Sequence, residues 1–420
     1  MLIKQSQRVW NSPLYADFPR SEYEQRLGRA RKHMSESNID VLVLWDPVNI
    51  RYFTGFQSLH WLAMSIQPAV VVIPIDKDPV IVVPDFFSQV AEGYTYLRDI
   101  RLLPKPHVTR NIRHVPVDVA DTVKDLGYGR GNVGVEAGWQ GGMAVPRPIN
   151  DIDRFRQSLE GASFVEAADV IWKCRMIKSA GEVGAIRKAA QAVARAYGDL
   201  VAKFELGMSE RDVGSLIRHA ILDYTEDCTP PIATSSSRRV VMPDTPSFYD
   251  EVGLAPGDRI VFEPIPSYKG YYGSCCRVFQ IGPLPEEAQR KSEAVDRAQA
   301  QAIAAIKPGV KTKVLLEVIA EVLRESGIEP RIEMAGHGMG MNHHEPPAIS
   351  EDEEAVFEEG MVMAVEVWVV DWRGDFSKLT SIVPEVYGNE DLVVVNRDGC
   401  DQLADFRKDI RTLPYTGGLL

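Results

Sequence analysis

Two acidic groups interrupt runs that otherwise have the composition of buried β-strands. Glu366 ends the stretch Gly360-Met361-Val362-Met363-Ala364-Val365, and Glu390-Asp391 lead into Leu392-Val393-Val394-Val395. A carboxylate does not stay charged among apolar side chains unless a cation or a set of donors pairs with it. The chain must therefore fold so that these strands bring their acids to a shared polar place. A third stretch joins them: Gly336-His337-Gly338-Met339-Gly340, then His343-His344-Glu345-Pro346. Glycines beside a histidine permit close turns and leave the imidazole uncovered. Histidine, acids and glycine in this order describe an active site.

The rest of the chain bounds what that site can belong to. At 420 residues the expectation is two domains. A net charge of −12 with no basic block argues against nucleic acid and anionic membranes as partners. The opening Met1-Leu2-Ile3-Lys4-Gln5-Ser6-Gln7 has no apolar signal-peptide core, and the stretch from Trp61 to Ile75 is broken by Gln67, Pro68 and Pro74. The five cysteines (Cys174, Cys228, Cys275, Cys276, Cys400) form no C-x-x-C pair. These features read as a reduced, cytoplasmic protein.

Along the chain, Ser21-Glu22-Tyr23-Glu24 has the form of a capping box ahead of Leu27, Ala30 and Met34 at helical spacing. Asp40–Trp45 reads as a strand, Asp46-Pro47-Val48-Asn49 as a loop, and Val70–Ile75, Val80–Val83 and Val133–Val135 as further strands. Alternation with helices predicts an α/β domain over residues 1–165. Ser179–Glu182 and Ser209–Asp212 each open a helix. Strands at Arg259–Phe262, Tyr271–Tyr272 and Val278–Ile281 and helices at Glu286–Ile306 and Thr312–Ser326 then predict an α+β domain over 166–420.

These residues carry a resemblance. Cys174–Glu182, Gly257-Asp258, Gly270-Tyr271-Tyr272, Arg277, Gly336–Gly340, His344-Glu345-Pro346, Gly360-Met361 and Glu390-Asp391 fall where the motifs of the pita-bread superfamily fall. That superfamily holds creatinase, prolidase, aminopeptidase P and methionine aminopeptidase. Asn38-Ile39-Asp40 and Asp46–Gly55 resemble the smaller domain of its creatinase/prolidase branch. The resemblance implies an α/β N-terminal domain followed by an α+β pita-bread catalytic domain, and a homodimer acting on a small molecule.

It also implies a site with an altered ligand pattern. The peptidases hold two divalent metals with two aspartates eleven apart, one histidine and two glutamates. Here the first aspartate position is Glu263 and the second is Ser274, while His337, Glu366 and Glu390 match the other three. The family's upstream substrate histidine has no counterpart in Pro243-Asp244-Thr245-Pro246. A serine hydroxyl stays protonated near neutral pH and is a poor ligand for hard cations. Two readings stay open: one manganese, iron or zinc ion held by His337, Glu366 and Glu390 with Glu263 assisting, or no metal. Without metal, the converging acids call for a cationic substrate group.

By resemblance to relatives that open cyclic amidines and also carry glutamate at the first-acid position, Glu263 would be the nucleophile or general base, and His344, whose family counterpart faces the reacting carbonyl, the proton shuttle. Arg51, His60 and Trp61 lie in the N-terminal loop that, in the creatinase-like dimers this chain resembles, reaches towards the partner's active site, and with His343 they are expected to bind substrate. Consecutive residues on an extended segment face opposite ways, which would separate His343 from His344. Cys275 and Cys276 are read as small buried groups rather than nucleophiles. The expected activity is hydrolysis of a C–N bond in a small polar compound, zwitterionic or carrying an amidine or guanidino group. A metal-dependent Xaa-Pro dipeptidase or aminopeptidase, a lyase of a small zwitterion, and an inactive binding module are the alternatives.

Overall fold

The computed structural model describes residues 3–4, 13–58, 69–103, 114–233, 253–373, 383–406 and 412–413. The chain divides into two units, Met1–Arg175 and Met176–Leu420. The division falls later than the expected 165/166 because the helix Ala168–Met176 is tied to the first unit. Ala167 and Ala168 donate backbone N–H groups to Val135 and Ala137, and the Tyr52 hydroxyl donates to the Cys174 carbonyl at 2.6 Å.

Among the described residues the first unit has a seven-stranded mixed sheet. Its spatial order is Ile3–Lys4, Asp99–Leu103, Val80–Pro84, Val70–Pro74, Val41–Leu44, Asn132–Val135, Ser163–Glu166. Val41–Leu44, Val70–Pro74 and Val80–Pro84 are buried along their whole length, as β-branched strands covered on both faces must be. Two local expectations are corrected. The helix Arg20–Glu36 starts behind Pro19, so Ser21 lies inside the first turn and caps nothing. Asp46–Asn49 is no loop: Asp46 caps the helix Pro47–Thr54, its carboxylate accepting from the N–H groups of Val48 and Asn49.

The second unit is built on a ten-stranded, largely antiparallel sheet among the described residues. Its main path runs Tyr271–Tyr272, Arg259–Tyr268, Cys276–Ile281, Val383–Val395, Val362–Arg373, Met334–Gly338, Glu345–Ser350. The predicted boxes at Ser179 and Ser209 are formed, opening the helices Ala180–Lys203 and Glu210–Leu222. Helices Glu286–Ala305 and Val314–Glu325 contribute Val295, Ala298 and Ile319 to a core that also takes Met363, Val365, Val367, Val393 and Val395 from the sheet. Because side chains alternate along a strand, Ala364, Glu366 and Trp368 point to the opposite face, as do Gly388, Glu390 and Leu392. The acids stand on the face the helical core does not use. No helix among the described residues is long and apolar enough to cross a membrane.

Candidate active site

Strand register assembles the site. His337 pairs with Ala364, Glu366 pairs with Glu390, and Glu390 pairs on its other side with Cys276. Arg277 pairs with Phe262, which sets Glu263 on the next strand over. Three strands thus carry His337, Glu366 and Glu390 side by side. Glycine makes the first of these approaches feasible. Gly336 has φ +140°, and a Cβ there would lie 2.0 Å from the Ala364 carbonyl oxygen.

Each group is held in a definite state. His337 is buried, and its Nδ1 lies 2.9 Å from the Gly338 carbonyl, which can only accept. The proton therefore belongs on Nδ1, and the lone pair of Nε2 faces Glu366 Oε1 at 3.6 Å. Burial holds His337 below the usual imidazole range and so keeps it neutral. Glu366 Oε2 accepts from the indole Nε1 of Trp368 at 2.8 Å, and Glu390 Oε2 accepts from Ser274 Oγ at 3.3 Å. The remaining oxygens, Glu366 Oε1 and Glu390 Oε1, are buried with no hydrogen-bond partner among the described residues.

Burial drives both carboxyls upward from the ordinary carboxylate range. At Glu390 the Glu263 and Glu366 charges add to that push, and the Ser274 hydroxyl opposes it. A bound cation would reverse this by stabilising the charged forms.

His343 and His344 depart from the extended arrangement expected of them. Residues 341–344 bend, so both rings reach His337. His344 stacks on it at 3.7 Å with 16° between planes, and His343 meets it edge-on at 5.3 Å. Burial first, then the neighbouring imidazoles, push His343 down to about 3. Nitrogens of the three rings lie within 4.8 Å of one another. Stacked, near-parallel rings nonetheless keep their in-plane lone pairs in separate, nearly parallel planes, so His337 and His344 as placed do not both point at one ion. His344 is solvent-exposed, the condition for a group that exchanges protons with water.

Two buried ion pairs, not identified from the sequence, brace the site. Lys178 Nζ lies 3.3 Å from Glu345 Oε2, and Glu345 Oε1 accepts the Asn342 N–H, which fixes the turn bearing the two histidines. Arg277 binds Asp391 at 2.6 Å and donates to the carbonyls of Cys276, Glu390 and Phe406. Trp368 was legible in principle, since it lies two residues beyond Glu366 and a strand puts such residues on one face. The two ion pairs had no such signal.

Cys275 and Cys276 are buried, and burial raises both thiols, so they stay protonated and unreactive. Arg51 lies in the first unit, bonded to Asp17 at 2.9 Å. His60, Trp61 and the stretch Pro243–Pro246 lie outside the described residues.

His337 and Glu366 have the spacing of two ligands that share a cation, while among the described residues the three histidines are the group of three donors within 4.8 Å of one another. Two ligand atoms that share an ion at about 2.1 Å are roughly 3 to 3.5 Å apart. His337 Nε2 and Glu366 Oε1 are near that spacing at 3.6 Å, and the buried Glu390 Oε1 stands on the adjacent strand. With both Oε2 atoms engaged by neutral donors, each glutamate presents a single oxygen.

Comparisons with known proteins bear on both units. Residues 184–397 match metallopeptidase family M24, and residues 26–177 match the creatinase/prolidase N-terminal domain. An Xaa-Pro dipeptidase of Pyrococcus furiosus is 24% identical over 391 residues, covering 92% of this chain and 99% of the relative. An ectoine hydrolase of Halomonas elongata is 23% identical over 418 residues, covering 94% and 98%. The solved prolidase of Thermococcus sibiricus superposes with a TM-score of 0.77 at 21% identity, covering 93% and 99%, a likeness of fold.

Proposed function

The chain belongs to metallopeptidase family M24, with a creatinase/prolidase N-terminal domain ahead of the catalytic one, and is a hydrolase of that kind; from this premise we propose that it hydrolyses a C–N bond in a small polar compound with a cationic, amidine or guanidino group, at a site that takes a single cation. The observation that carries the proposal is the pair of buried oxygens, Glu366 Oε1 and Glu390 Oε1, which have no hydrogen-bond partner among the described residues, with Glu366 Oε1 3.6 Å from His337 Nε2. Ser274 in place of a bridging carboxylate removes one negative charge from the site and occupies Glu390 Oε2 instead. The chain's relation to an ectoine hydrolase favours a small polar substrate of this kind.

A divalent ion held by His337, Glu366 and Glu390, with Glu263 nearby, would supply Lewis acidity and a lowered pKa for water. The chain's own residues do the rest. Glu263 accepts the proton of the attacking water. His344 carries a proton from solvent to the departing nitrogen, so that the C–N bond breaks to a neutral amine. Glu366 and Glu390 hold the positive charge of the complex. His343, neutral and half-buried, shapes the wall of the site, and Arg51 is a candidate carboxylate-binding group. The functional form is a homodimer in the cytoplasm.

An Xaa-Pro dipeptidase is the second reading, favoured by the Pyrococcus furiosus relative and opposed by Ser274. The deciding experiment pairs elemental analysis of protein purified without chelators with a screen of cyclic amidines, guanidino compounds and Xaa-Pro dipeptides. Turnover of dipeptides alone replaces the first reading with the second. No turnover of cyclic amidines or guanidino compounds and no cation uptake would overturn the first reading.

A further inference from the structure

Trp368 stands directly opposite Gly388 on the neighbouring strand. A Cβ at position 388 would lie 2.2 Å from Trp368 Cε3, 2.4 Å from Cζ3 and 2.8 Å from Cδ2. The six-membered ring of the indole therefore lies across the bare backbone of Gly388, in space no other residue leaves open. Around it pack Val261, Cys276, Val386 and Val278. With that ring pinned, the N–H edge reaches back along the strand to Glu366 Oε2 at 2.8 Å.

A carboxylate has a broad, nearly two-fold terminal torsion and little preference of its own. One strong donor on one oxygen fixes the plane of the group and thereby the direction of the other oxygen. Here that other oxygen, Oε1, is the atom facing His337 Nε2 at 3.6 Å. A lysine or arginine in the same place would neutralise the charge while orienting it. An indole orients it and leaves the full negative charge for something else.

We propose that Trp368 is a positioning residue which aims Glu366 at the cation, and that Gly388 is its required partner. The inference rests on the reading that Glu366 holds a cation. It assigns a role beyond packing to the aromatic side chain.

The test uses the full chain and two probes, Mn2+ followed by electron paramagnetic resonance of the free ion and guanidinium followed by calorimetry. Trp368→Phe keeps the ring and removes the N–H; Gly388→Ala keeps the N–H and displaces the ring. Each is expected to weaken whichever probe the wild type binds by about 10- to 100-fold, the usual effect of losing an outer-shell hydrogen bond. Because both act on one contact, the double variant should be no weaker than the weaker single. Thermal midpoints measured alongside separate aim from packing.

Wild-type affinity in folded Trp368→Phe, or additive losses in the double variant, overturns the role of Trp368. A wild type that binds neither probe overturns the cation reading itself, and this inference with it. Should Trp368→Phe not fold, indole resonances of the wild type decide. The Trp368 N–H should shift on adding the bound probe, and an unmoved resonance overturns the proposal.

Discussion

Glu366 and Glu390 face each other across adjacent antiparallel strands, each accepting at Oε2 from a neutral donor and keeping Oε1 buried with no hydrogen-bond partner among the described residues. Like charges directly opposite in a sheet destabilise it, and burial magnifies the effect. The arrangement is at odds with stability in isolation and agrees with the presence of a cation.

Glu390→Gln should therefore stabilise the cation-free protein while weakening cation binding. Thermal unfolding in chelator and then in excess Mn2+ checks this: the variant melts above wild type in the first condition and gains less in the second. A variant that melts lower in chelator would mean the carboxylate is already satisfied.

Ser274→Asp returns a carboxylate to the position that bridges two metals in the peptidases. The expected result is lower stability without cation, from the added acid beside Glu390, and Mn2+ stoichiometry rising from one toward two. Elemental analysis with the exchange-coupled signal of a manganese pair reads it. A stoichiometry that stays at one places the limit in some residue other than Ser274.

Arg277→Lys should be poorly tolerated despite keeping the charge. The guanidinium serves Asp391 and three carbonyls at once, and an ammonium cannot match that fork. Breaking such a buried set costs about 3–5 kcal/mol. The variant's denaturant midpoint should fall accordingly, and its cation affinity with it, because Arg277 holds the backbone at Glu390.

The first unit carries its own pH dependence. Burial, and to a smaller degree the Asp46 charge, push Glu136 from 4.5 up to about 8, against hydrogen bonds from the Trp45 and Asp46 backbones and from Asn49. A carboxyl raised on folding contributes stability that is complete below about pH 4.5 and is lost as pH rises through about 8. The slope between them reaches about 1.4 kcal/mol per pH unit. Unfolding of wild type and Glu136→Gln from pH 5 to 9 measures it. The variant should lose the slope and, with one acceptor oxygen replaced by a donor, about 1–3 kcal/mol at the acid end.

Much of this was legible in the sequence because it is local. Acids within β-branched runs place Glu366 and Glu390 on strands, glycines flank His337, and the Ser179 and Ser209 boxes open their helices as their spacing requires. Local signals also misled where two competed. Proline set the start of the first helix ahead of Ser21, and Asp46-Pro47 began a helix where a loop was expected. The bend before Glu345 undid the alternation that should have parted His343 from His344.

The sequence by itself determined the kind of fold, an α/β domain ahead of an α+β pita-bread domain. Tertiary structure decided how the polar side chains are used: which oxygen of each glutamate is free, that Trp368 lies on Gly388, that Lys178 meets Glu345, and that Arg277 locks Asp391. Most of those contacts join residues far apart in the chain, and the register of paired strands sets several of them. A shift of one residue in that register would exchange the two faces of a strand.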